Sequence, residues 1–265
     1  MKIARFGNIG LHYRVDGPDD GAPVVFANSL GTDLRLWDPV LPHLPDGLRI
    51  IRYDKRGHGL STCPRAPYTM GSLIADAENL LDYLNVKDCV FVGLSIGGMI
   101  AQGLAAKRMD LVRAMVLSNT GAKIGTRALW KERIGDVEKN GIESLADAVM
   151  ERWFSADFRA SATLELWRNM LTRQEDAGYA GCSEAISGTD FFGATAALRL
   201  PTLGIAGSED GSTPPDLVRE TVELVPGSDF HLIRKAGHLP CVEQPEEYAR
   251  VLCGFLQQVG HLSDT

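Results

Sequence analysis

Apolar residues recur along this chain in two rhythms. Pro23–Ala27, Arg49–Tyr53, Val90–Val92, Ala114–Ser118 and Pro201–Gly207 are nearly continuous in apolar character. Short runs of this kind predict strands buried on both faces of a parallel sheet. Ile3–Phe6 and Leu11–Val15 instead alternate around Gly7-Asn8-Ile9-Gly10, which predicts an amphipathic hairpin at a sheet edge. His12 falls in the polar phase of that alternation and is expected to face solvent. Phe230–Ile233 completes eight strands. Helical spacing fills the intervals at Leu34–Leu44, Tyr68–Leu84, the segment after Gly97, Pro215–Val225 and Glu246–Val259. In Tyr68–Leu84, for instance, Met70, Leu73, Ile74, Ala77, Leu80 and Leu81 mark one face.

From Gly121 to about Thr195 the strand rhythm stops. Four helical patterns replace it, at Arg127–Asn140, Ile142–Phe154, Ser161–Arg173 and Glu175–Ser187. Strands alternating with helices predict an α/β fold with a mostly parallel eight-stranded sheet. A helical insertion after the sixth strand predicts a lid. The expected division is a core of residues 1–120 and 196–265 with a lid of residues 121–195. The insertion holds Trp130, Trp153 and Trp167, with Phe154, Phe158, Phe191 and Phe192. Most of these are expected in the lid–body core, with one or two at a pocket mouth.

Composition narrows the function classes. A length of 265 residues with 45% hydrophobic content suits one α/β domain with an insertion. The net charge of −7 argues against nucleic acid and anionic membrane surfaces as partners. It also means that an anionic substrate would need a local cluster of Arg or Lys. No apolar run has the length of a membrane span, and MKIARFGNIG lacks a signal-peptide core. The five cysteines (Cys63, Cys89, Cys182, Cys241, Cys253) are scattered without a C-x-x-C pair. A reduced cytoplasm with free thiols is the expected setting, and nothing in the spacing suggests zinc.

The chemistry centres on Cys89–Gly103. Val90-Phe91-Val92 reads as a strand, Gly93-Leu94-Ser95-Ile96-Gly97 as a tight turn, and the small-residue segment after it as a helix. G-x-S-x-G is weak as a bare pattern, but strand, turn and helix in this order form a nucleophile elbow. Ser95 would then project at the strand's C-terminal end. Asn28-Ser29-Leu30-Gly31-Thr32 closes a neighbouring strand, and the N–H groups of Leu30 and Ile96 can converge on one carbonyl oxygen. A serine hydroxyl needs an imidazole to take its proton, and the imidazole needs a carboxylate to fix its tautomer. Asp210 and His238 follow the last two strands, so the order is Ser, Asp, His along one sheet edge. Glu209 is the rival acid. His58, between two glycines and ahead of the elbow, reads as a structural loop residue.

These pieces resemble the α/β-hydrolase superfamily over nearly the whole chain. The matching segments are Asn28–Gly31, Tyr53–Ser61, Gly93–Gly98, Gly207–Asp210 with Pro214, and Ala236–Pro240 with Glu243 and Pro245. Within that superfamily the chain looks most like 3-oxoadipate enol-lactonases, through Asn28–Thr32, Gly-Leu-Ser-Ile-Gly-Gly-Met at the elbow and Glu151-Arg152-Trp153-Phe154. The resemblance implies opening of a small carboxylate-bearing enol-lactone to 3-oxoadipate, in the β-ketoadipate pathway of aromatic catabolism, with no metal and no cofactor needed. Trp130 and Arg133, three apart on a helix, share a face and are candidates to hold the carboxylate. Arg152 with Trp153, and Arg168, are the others. A general carboxylesterase, a C–C bond hydrolase of the same fold, and a non-catalytic ligand receptor are the alternatives.

Overall fold

The computed structural model describes residues 1–262. Eight strands form one sheet: β1 (Lys2–Phe6), β2 (Ile9–Asp16), β3 (Ala22–Ala27), β4 (Leu48–Tyr53), β5 (Cys89–Leu94), β6 (Val112–Ser118), β7 (Thr202–Gly207) and β8 (Asp229–Ile233). Their order is β1-β2-β4-β3-β5-β6-β7-β8. Only β2 runs against the others; every pair from β4 to β8 is parallel. The continuous apolar runs are the central strands. Val24, Val25, Phe26, Val90, Phe91 and Val92 are fully buried, each contributing roughly 1.5–3 kcal/mol where a large side chain leaves water.

Helices cover the faces. They are α1 (Met70–Tyr83) and α2 (Ile96–Lys107) before β6, and α9 (Pro215–Glu223), α10 (Pro240–Glu243) and α11 (Pro245–Gln258) after β7. Between β6 and β7 lie α3 (Arg127–Asn140), α4 (Ala146–Trp153), α5 (Ala156–Arg159), α6 (Leu164–Thr172), α7 (Asp176–Ser187) and α8 (Phe192–Ala196). Thr126 caps α3 by accepting the Leu129 N–H at 3.2 Å, and Gly141, at φ 75°, ends it. That frame sets where Trp130 and Arg133 stand. The strands end at one edge, with β3, β5, β7 and β8 leading into the loops of Leu30, Ser95, Asp210 and His238.

Three expectations are corrected here. His12 does not face solvent; it is 8% exposed. The loop after β4 folds over β2, with His12 N–H donating to Ser61 Oγ and His12 Nδ1 paired with Asp54 Oδ2 at 2.8 Å. The alternation along β2 is real in the residues, but a polar loop covers its outer face. Leu34–Leu44 is not one helix but two 3-10 turns, Leu34–Trp37 and Leu41–His43. Pro39 removes the donor that would join them. Ile142–Phe154 also divides, into a 3-10 turn at Ile142–Leu145 followed by α4.

Candidate active site

Ser95 sits at φ 58°, ψ −118°, a conformation that costs a non-glycine residue energy and persists only where surroundings enforce it. Here the enforcement is visible. Ser95 N–H donates to the Ser118 carbonyl at 3.0 Å, while the Ser95 carbonyl accepts from Gly98 N–H at 2.9 Å and Thr120 Oγ1 at 2.6 Å. Gly97 lets α2 approach β3, since a Cβ there would lie 2.2 Å from the Ala27 carbonyl oxygen.

Asp210 and His238 are fixed by a dense set of hydrogen bonds. Asp210 Oδ2 meets His238 Nδ1 at 2.9 Å and accepts from Asn119 Nδ2 and Thr213 Oγ1, each at 2.8 Å. Asp210 Oδ1 accepts the backbone N–H groups of Ser212 and Thr213 at 2.7 and 3.0 Å. Burial alone would raise this carboxyl. The charge of His238 and the donors around it outweigh that and hold it below its ordinary value. An ionised Asp210 can only accept, so the ring proton lies on Nδ1 and leaves Nε2 facing the cavity. Glu209 is exposed and makes no side-chain hydrogen bond among the described residues. His238 N–H donates to the Trp153 carbonyl at 2.8 Å, tying the base to the end of α4.

Ser95 and His238 line one cavity, and the hydroxyl at His238 Nε2 is that of Ser29, 3.4 Å away. Among the described residues no hydrogen bond joins Ser95 Oγ to Nε2, a contact that tightens in hydrolytic sites when substrate seats. The N–H groups of Leu30 and Ile96 have no protein acceptor among the described residues. Leu30 lines the same cavity, and Ile96 is the first residue of α2, where the helix favours negative charge.

The remaining wall comes from the helices between β6 and β7. Trp130, Arg133, Arg152, Trp153 and Tyr179 line the cavity, whose volume is about 130 Å³. The Arg133 guanidinium lies 4.9 Å from the Trp130 ring centroid. Burial first, and then the charge of Arg133, lower Arg152 from its ordinary value. Neither arginine has a carboxylate partner among the described residues. Arg168 is elsewhere, on Asp147 at 3.0 Å and Glu143 at 3.5 Å. Among the described residues no cluster of three or more His, Cys, Asp or Glu could hold a metal ion, and no helix is long and apolar enough to cross a membrane.

Residues 22–245 match the family model of the alpha/beta hydrolase fold. The chain belongs to the alpha/beta hydrolase family. Among curated relatives of this hydrolase, 3-oxoadipate enol-lactonase 2 of Acinetobacter baylyi is 32% identical over 91% of each chain. Enol-lactonase 1 of the same organism is 32% identical over 94% of each. The crystal structure of the enol-lactonase from Burkholderia xenovorans LB400 superposes with a TM-score of 0.93 at 34% identity, covering 97% of this chain and 100% of that one.

Sequence reasoning on this hydrolase did not find the contact of Ser29 with His238, the Trp153 carbonyl beneath the base, or Asn119 on the acid. Ser29 and Asn119 follow strands β3 and β6 at the sheet edge that also holds Ser95, Asp210 and His238, which was the available signal. Tyr179 carried none, because on α7 it reads as a core aromatic.

Proposed function

We propose that this hydrolase opens a small carboxylate-bearing enol-lactone, of the 3-oxoadipate enol-lactone type, through an acyl-enzyme on Ser95. The observation that carries the reading is the pair Arg133 and Arg152. In a protein of net charge −7, two cations share the wall of a compact cavity without a carboxylate partner among the described residues. Both are half-buried, so their mutual repulsion is only partly screened by water, and an anionic substrate relieves it. The cavity is below the roughly 300–1,000 Å³ of drug-sized ligand sites, which favours a compact ring over a long acyl chain.

In the proposed cycle Ser95 Oγ attacks the lactone carbonyl while His238 Nε2 takes its proton. The oxyanion rests on the N–H groups of Leu30 and Ile96. Collapse breaks the ring C–O bond. The departing enolate oxygen stays tethered to the acyl group, and the proton from His238 disfavours its re-attack. The enol tautomerises to the ketone. Water then gives its proton to His238, attacks the ester, and frees the second carboxylate and Ser95. The helices of residues 121–195 act as the lid, shielding the acyl-enzyme and contributing both arginines. Similarity to the two Acinetobacter baylyi enol-lactonases supports this substrate class.

A kinetic panel tests it: the enol-lactone against p-nitrophenyl acetate, on wild type and Ser95→Ala. The lactone is expected to show the higher kcat/KM, with both activities lost in Ser95→Ala. Turnover of the ester with none of the lactone would replace this reading with a general carboxylesterase.

A further inference from the structure

Lys55 is a buried cation that the mechanism above leaves unused. It is 2% exposed, and its Nζ donates to the Ser29 carbonyl at 2.6 Å and the Thr32 carbonyl at 3.2 Å. No carboxylate lies within ion-pair distance of it among the described residues. A buried ammonium on neutral acceptors is costly, so the position of those acceptors matters. The Ser29 carbonyl and the Leu30 N–H belong to one peptide group. A cation on the oxygen of an amide draws electron density from its nitrogen and makes the N–H a stronger donor.

The neighbouring peptide is held too. Gly31, at φ 78°, donates its N–H to His58 Nε2 at 2.9 Å. Its backbone donor is thus turned into the protein. Leu30 N–H has no protein acceptor among the described residues, and Leu30 lines the cavity.

Thr32 also donates to the Ser29 carbonyl, through Oγ1 at 2.9 Å and N–H at 3.3 Å, so Lys55 is the charged member of three donors there. We propose that Lys55 is a positioning residue of the oxyanion site, its ammonium polarising the Ser29–Leu30 peptide toward charge developing on the acyl oxygen. This inference rests on acyl transfer at Ser95 and not on the lactone.

The groups around Lys55 set its titration. Burial is the strongest influence and lowers it to about 8, against the pull of Asp54 and Asp33; Cys182 on α7 faces it as well. Cys182 is pushed up to about 12 by burial and stays a thiol. Burial and Lys55 itself hold His58 well below its ordinary value, so the imidazole is neutral. Arg56 turns away to Asp76. A lysine lowered in the fold binds fewer protons there than when unfolded. Its linkage therefore makes stability rise with pH from about 8 to 10.5. Oxyanion stabilisation falls as Lys55 loses its proton in the fold, centred on the lower end of that window, about 8. A lysine with a merely structural role gives the first trend without the second.

The test uses a small alkyl fluorophosphonate. Ser95 Oγ displaces fluoride at phosphorus, His238 takes the proton, and the phosphoryl oxygen occupies the oxyanion site. The pseudo-first-order labelling rate is measured for wild type, Lys55→Gln and Lys55→Met, with Ser95→Ala as blank and mass spectrometry locating the adduct. Lys55→Gln, which keeps a donor but no charge, is expected to label about tenfold more slowly, and Lys55→Met more slowly still. The wild-type rate is expected to fall as pH rises through about 8, with no such fall in the Gln variant. Rates within about twofold of wild type for both variants, or a wild-type profile flat from about pH 7 to 10, overturn the proposal. If neither variant folds by circular dichroism, the wild-type profile decides alone. Wild type that never labels defeats acyl transfer at Ser95 and this inference together, whereas labelling without lactone turnover defeats only the lactone reading.

Discussion

Glu243 binds Ser155 twice: its Oε2 accepts the Ser155 hydroxyl at 2.5 Å and the Ser155 N–H at 3.1 Å. The other oxygen, Oε1, accepts the Gly237 N–H at 2.6 Å. One carboxylate therefore joins the helices between β6 and β7 to the loop that carries His238. Glu243→Ala leaves three donors without an acceptor, at about 1–3 kcal/mol for a buried group. A lower melting temperature and a reduced kcat are expected together, by thermal melt and steady-state kinetics. An unchanged kcat in a destabilised variant would show that Glu243 serves the fold alone.

The acid–base pair makes a separate prediction. Ser95→Ala is expected to lower kcat by at least ~10³ and Asp210→Asn by about 10⁴, the latter because the wrong imidazole tautomer is presented. Steady-state kinetics on folded variants measure both. Glu209→Gln, exposed and away from His238, is expected to leave kcat unchanged.

Arg133→Ala and Arg152→Ala are each expected to raise KM for the anionic lactone about tenfold or more, the scale of a charge-assisted hydrogen bond. KM for a neutral ester should move little. Equal losses on both substrates would assign the arginines to packing. Arg168→Ala, paired with Asp147 and Glu143, is expected to change neither constant.

Close approach of α2 to β3 gives a folding prediction. In Gly97→Ala the new Cβ would meet the Ala27 carbonyl oxygen at 2.2 Å, and backbone cannot give way as a side chain tip can. A loss of about 3 kcal/mol or more is expected, read as the urea midpoint or as lost soluble yield.

Asp210 gives a pH prediction. Its carboxyl is held below the ordinary 3.8 in the fold, so its contribution to stability is present above that value and lost as pH falls through the folded-state pKa. The stability difference between wild type and Asp210→Asn, from urea denaturation, is expected to be constant near neutrality and to narrow below about pH 4. A difference that widens on acidification would reverse the assignment.

The sequence by itself determined the sheet and the chemical groups at its edge. Unbroken apolar runs such as Val24–Phe26 and Val90–Val92 can only be satisfied when both faces are buried. A glycine-flanked serine between strand and helix leaves few backbone solutions. Asp210 and His238 were legible because they follow strands, and parallel strands end at one edge. Burial of His12 was not legible, since the covering loop arrives from Asp54–Thr62, some 40 residues on. Nor do neighbouring positions fix which of Asp210 and Glu209 meets His238: Asp210 does, with Asn119 and Thr213 converging on it from the end of β6 and the loop after β7. The same holds for Arg133 against Arg168, both on helices that read alike, one lining a cavity and the other paired at the surface. Periodicity reports which side of an element is apolar; contacts between distant segments decide which polar groups meet.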